Sequence, residues 1–81
     1  MPRVSGKTDK DQLLALLGAA IRARRKVMDL SQEALADQAG IDRSHMGKIE
    51  RGERNVTLLN VAKLAHALSC KPSDLLVDAG F

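Results

Sequence analysis

Between Leu30 and Gly52 the chain twice repeats one pattern: a polar residue suited to start a helix, a short run with apolar residues at helical spacing, and a glycine. Ser31 is an N-cap residue, because its hydroxyl can accept from an amide that the first helical turn leaves without a partner, and Glu33 follows in the electropositive first turn. Leu35 and Ala36 face inward, and this helix is expected to run through Gln38. Gly40 ends it, since a left-handed backbone costs glycine little. Asp42 is a second N-cap, opening a helix through about Arg51 with Met46 and Ile49 on its inner side and Ile41 just before it; Gly52 closes it in the same way. Two short capped helices about three residues apart make a helix-turn-helix.

The rest of the chain supplies a scaffold of the same kind. Thr8 with Asp11 resembles a capping box in which Asp replaces Glu, followed by Leu13, Leu14, Leu17 and Ile21 at helical spacing, so a first helix is expected from about Asp9 to Met28. Thr57 caps a fourth helix with Leu58, Val61, Ala62, Leu64, Ala65 and Leu68 as a broad apolar face. Pro72 suits the first position of a short fifth helix ending near Val77, with Leu75 and Leu76 inside or at an interface. Phe81 is the sole aromatic residue of the 81, so a core must be aliphatic, which favours packed helices over strands. Residues 1–8 read as a flexible arm and residues 9–81 as a single all-α domain, a length that buries only about 60% of its unfolded surface and leaves no room for a second module.

Several function classes recede on composition. The longest apolar stretches, such as Leu13 to Leu17, are far too short to cross a bilayer, and no charged-then-apolar leader opens the chain, so a cytoplasmic protein is expected. A lone cysteine, Cys70, reads as a small buried hydrophobe rather than half of a disulfide. His66 and Cys70 stand four apart, but no further Cys or His nearby completes a metal site. His45 with Glu50 or Asp42 could be imagined as an acid–base pair, yet so small an aliphatic core offers no pocket for a substrate. No catalytic residue, cofactor or metal is expected. The formal charge of +3 tilts the chain only weakly toward polyanions, so position has to identify the partner.

Position points to double-stranded DNA. The second helix of a helix-turn-helix fits the major groove, roughly 12 Å wide, and the exposed side chains at its start meet base edges. Here those are Arg43, Ser44, Gly47 and Lys48, opposite Met46 and Ile49. Arginine pairs bidentately with guanine, serine is less selective, lysine suits guanine or phosphate, and Gly47 would let the helix approach closely. Gln32 before this helix, and Arg51, Arg54 and Asn55 after it, are suited to phosphates. Arg22, Arg24 and Lys26 lie on several sides of the first helix and argue little. Leu75, Leu76, Val77 and Phe81 exceed what a short terminal helix can bury, so a homodimer interface is expected there, with Leu59 joining it.

The run from Leu30 to Leu76, with Ser31-Gln32-Glu33, Leu35-Ala36, Gly40-Ile41, Ile49-Glu50-Arg51-Gly52 and Leu64-Ala65, together with Ile21, Arg22 and Arg25, resembles the Cro/repressor or Xre-like helix-turn-helix family. That resemblance implies a compact five-helix, lambda-repressor-like domain that binds an inverted-repeat operator as a homodimer and regulates transcription. Asp42-Arg43-Ser44-His45, followed by Ile49-Glu50-Arg51 and Arg54-Asn55, is similar to the controller proteins of restriction-modification systems. This carry-over makes Arg43, Ser44 and His45 DNA contacts and brings Arg54 near the groove. It also implies that Arg25 and Glu50 form a structural ion pair, tolerable when buried only because paired. An antitoxin, binding a toxin protein and repressing its own operon, is the alternative within the same fold.

Overall fold

The computed structural model describes residues 12–81. Five helices follow in order: α1 (Leu13–Val27), α2 (Gln32–Ala39), α3 (Arg43–Glu50), α4 (Leu58–Ala67) and α5 (Pro72–Asp78), with no strand among the described residues. The arm at residues 1–8 and the capping pair Thr8 and Asp11 lie outside them. Helix α1 begins at Leu13, directly after Gln12, whose φ of 55° is left-handed and not helical; the expected start near Asp9 lies outside the described residues. No helix among the described residues is long and apolar enough to cross a membrane.

The starts follow the expected chemistry. Ser31 Oγ accepts from the Ala34 amide at 3.0 Å and Thr57 Oγ1 from that of Asn60 at 3.1 Å. Asp42 caps α3 by accepting from the His45 amide at 3.3 Å. At α5, with Pro72 in its first turn, the Asp74 carboxylate accepts from the Lys71 amide at 2.9 Å.

The ends share one device that the glycines reveal only in part. Each helix is followed by a left-handed residue, in order Asp29, Gly40, Gly52, Ser69 and Gly80. The amide of the next residue then turns back onto the helix: Leu30 to the Arg25 carbonyl (3.1 Å), Ile41 to Ala36, Glu53 to Lys48, Cys70 to Ala65 and Phe81 to Leu76 (2.9 Å each). This return bond satisfies a carbonyl left over at the helix end and reverses the chain within a few residues. Short helices can thereby pack against their own neighbours.

Ile21, Leu35, Met46, Ile49, Leu64 and Leu75 are fully buried, one or two from each helix. Each such side chain contributes about 1.5–3 kcal/mol by leaving water. Helix α3 rests on α1 and α2, α2 on α4, and α5 closes the bundle against α4 and α1. Two glycines, Gly18 within α1 and Gly52 just after α3, let these helices meet closely. A methyl group on Gly18 would stand 2.5 Å from the carbonyl oxygens of Ile49 and Glu50, and one on Gly52 would stand 2.6 Å from Ala15 Cα.

Three expected apolar placements change. Leu13 is substantially exposed while Leu14, Leu17 and Ile21 are buried, and Leu58, at the first position of α4, is 77% exposed because that turn has not yet reached the core. Leu75 is fully buried within its own domain, which removes it from the proposed surface between subunits.

Candidate nucleic-acid interface

Helix α3 is eight residues long, or about 12 Å, and its inner side is spent on Met46 and Ile49. What remains outward at its start is Arg43 and Ser44, both exposed, with His45 and Lys48 half-buried beside them. Asp42 organises this turn. Its carboxylate accepts from the Ser44 hydroxyl as well as from the His45 amide, and these bonds, Ser44's first, hold its pKa below the usual carboxylate range. Arg43 reaches back to α2, donating from Nη2 to Asp37 Oδ2 at 2.9 Å and from Nε to Asp37 Oδ1 at 3.3 Å. The guanidinium keeps the Asp37 carboxyl below its ordinary pKa, and the carboxylate raises that of Arg43.

The far end of α3 is held by a buried polar network. Arg25 donates from Nε to Glu50 Oε2 at 2.7 Å and from Nη2 to Oε1 at 3.0 Å, while its Nη1 donates to the Leu30 carbonyl at 2.8 Å. Gln32 Nε2 donates to Glu50 Oε1 at 3.0 Å. The end of α1, the start of α2 and the end of α3 therefore meet on one carboxylate, and the Arg25 guanidinium adds the turn after α1. Side-chain exposures of 10% for Arg25 and 2% for Glu50 make the pairing obligatory, since either charge alone would be stranded out of water. No buried side-chain nitrogen or oxygen among the described residues lacks a partner.

This geometry revises the parts expected of two residues. Gly47 is buried, so it offers DNA little surface of its own, a correction to its place among the contact residues. A Cβ there would lie 3.1 Å from Arg51 Nη1 and 3.5 Å from Gln32 Oε1, so the absent side chain makes room for these two. Gln32 is half-buried, with one of its two amide N–H donors committed to Glu50. Arg51, Arg54 and Asn55 are exposed in and after the last turn of α3; Arg51 donates to Glu53 Oε2 at 2.8 Å, lowering the pKa of that carboxyl.

The structure thus gathers Gln32 and Arg51 about Gly47, and sets Arg43 and Ser44 at the other end of the same helix. Reading the residues alone missed Asp37, Gly18 and the Gln32–Glu50 bond. A carboxylate in the last turn of α2, where helix polarity disfavours it, was the available signal for Asp37. A glycine inside an otherwise regular helix was the signal for Gly18. Among the described residues no group of three or more His, Cys, Asp or Glu side chains gathers as a metal-ion site.

Of the residues expected at a homodimer interface, Leu59, Val77 and Phe81 are 64%, 68% and 59% exposed, and Leu76 is half-buried against the core. Arg24 ties α5 to α1 through a 2.6 Å bond to Asp78.

Residues 21–75 match the family described as Helix-turn-helix. The chain is 42% identical over 65 residues to control protein C.SmaI of Serratia marcescens, covering 80% of this chain and 77% of that protein. It is 42% identical over 62 residues to control protein C.BamHI of Bacillus amyloliquefaciens, covering 75% and 76%. Its fold is similar to the crystal structure of the restriction-modification controller protein C.AhdI from Aeromonas hydrophila, with a TM-score of 0.75, 48% identity, and coverage of 76% of this chain and 94% of that one.

Proposed function

The chain belongs to the helix-turn-helix family of DNA-binding transcriptional regulators, and from that premise we propose that it works in the cytoplasm as a homodimeric, non-catalytic operator-binding protein of the controller type. The observation that carries this reading is the division of labour on α3. Its first turn offers Arg43 and Ser44 to a groove, while its last turn is fastened through Glu50 to Arg25 and Gln32. A helix held rigidly at one end and open at the other presents its first-turn side chains in a fixed orientation, as base readout requires. Arg43 is the base-reading residue, Ser44 and His45 adjoin it, and Lys48, Gln32, Arg51, Arg54 and Asn55 hold phosphates. Leu59, Leu76, Val77 and Phe81 meet their counterparts across the two-fold axis.

By likeness to the control proteins, the regulated genes are those of a restriction-modification system, its own gene among them. Nothing in those relatives favours the antitoxin reading, which drops away. Selection of bound duplexes from a random pool tests the proposal. An enriched inverted repeat, with half-sites about one helical turn or a multiple of it apart, is the expected result. Failure to enrich any sequence, or enrichment of asymmetric sites only, would overturn it.

A further inference from the structure

Asp37 stands in the last turn of α2, where the carbonyl end of the helix disfavours a carboxylate, and no basic residue of α2 offsets it there. Its partner is instead Arg43 of the next helix. Both side chains are more than half exposed, at 59% and 64%, and ion pairs of that kind contribute little to folding. Neither its own helix nor the fold accounts for a carboxylate at this position.

The geometry of the contact does. Asp37 takes the edge of the Arg43 guanidinium formed by Nε–H and one Nη2–H. A guanidinium has five N–H donors in a rigid plane, so the end between Nη1 and Nη2 is left with two parallel donors. That fork matches the O6 and N7 acceptors of a guanine edge. A long side chain that would otherwise sweep many rotamers is held by one edge while the other remains available. The same carboxylate opposes phosphates within its electrostatic range, which disfavours use of this arginine as a sequence-blind backbone clamp.

We propose that Asp37 is the positioning residue for base readout by Arg43, raising the discrimination of the protein at the cost of its general affinity for DNA. The proposal rests on the reading of Arg43 as a base contact. It is tested with full-length wild type, Asp37→Ala and Arg43→Ala, each titrated against a duplex recovered by selection, single-base variants of it, and an unrelated duplex of the same length. Arg43→Ala identifies the dG position whose replacement is no longer sensed. At that position Asp37→Ala should lower the preference for dG over dA about tenfold, within the range of one lost bidentate pair. Its affinity for the unrelated duplex should rise, and its melting temperature should stay level or increase, since a carboxylate leaves a helix C-terminus. Retention of the dG preference by Asp37→Ala, where Arg43→Ala loses it, would refute the positioning role while leaving the Arg43 reading intact. If Arg43→Ala itself left every base preference unchanged, both readings would fall together.

Discussion

Two glycines inside helices, Gly18 and Gly47, meet different neighbours and should respond oppositely to the same substitution. Alanine is favoured over glycine in a helix by roughly 0.5–1 kcal/mol. At Gly18 the new methyl would press on the backbone oxygens of Ile49 and Glu50 at 2.5 Å, which cannot move without carrying α3 with them. Overpacking of this kind costs about 1–3 kcal/mol, so Gly18→Ala should destabilise despite its better propensity. At Gly47 the nearest atom is the end of the exposed Arg51 side chain, which can swing aside, and Gly47→Ala should stabilise by about 0.5 kcal/mol. Urea denaturation of both variants checks the contrast; a stabilised Gly18→Ala would mean that α1 does not approach α3 so closely. Glu50→Ala should cost about 3–5 kcal/mol by leaving Arg25 buried without its partner. Replacing both with apolar residues should cost less than the sum of the single changes. Small additive losses in that cycle would contradict the buried network.

At the level of the element, five helices end in the same left-handed turn, three at glycine and two at Asp29 and Ser69. A residue with a Cβ is disfavoured there by about 1–2 kcal/mol, partly offset by the greater freedom of an unfolded glycine. Ser69→Gly should therefore raise stability by about 0.5–1 kcal/mol, read as a higher melting temperature; a loss would show that the Ser69 side chain contributes something the turn geometry does not. The same turns mark how far the sequence could be read. Ser31, Asp42, Thr57 and Pro72 announce helix starts through local chemistry, and Gly40 and Gly52 announce ends, so α2 to α5 were legible almost to the residue. Gln12, Asp29 and Ser69 adopt the left-handed region without being glycine, and no local pattern distinguishes them. Arg43 and Ser44 were legible because the motif fixes their place on α3. The Arg43–Asp37 and Gln32–Glu50 bonds depend on how α2 crosses α3, and the burial of Leu75 on how α5 lies across α1 and α4; both are set by packing, not by spacing along the chain.

At the largest scale, the described residues extend over 32 × 25 × 19 Å, which suits one copy to one half-site, and the proposed homodimer sets its two recognition helices about 34–36 Å apart. Val77 and Phe81 leave an exposed apolar surface at the end of α5, where the proposed pairing is expected. Val77→Asp should shift the protein toward monomer in sedimentation at micromolar concentration without unfolding it, because the side chain lies outside the domain core; an unchanged dimer would place the interface elsewhere. Tight operator binding by a strictly monomeric wild type would also contradict the arrangement. In the proposed function, base specificity issuing from the first turn of α3 joins the buried network, the helix and the dimer. Its most direct test is the binding of wild type and Arg43→Ala to a panel of single-base variants of the selected operator. The predicted result is a loss of about 1–3 kcal/mol per half-site together with relaxed preference at one base position. Uniform weakening across the whole panel would contradict it, making Arg43 a phosphate clamp and leaving specificity to other residues or to DNA shape.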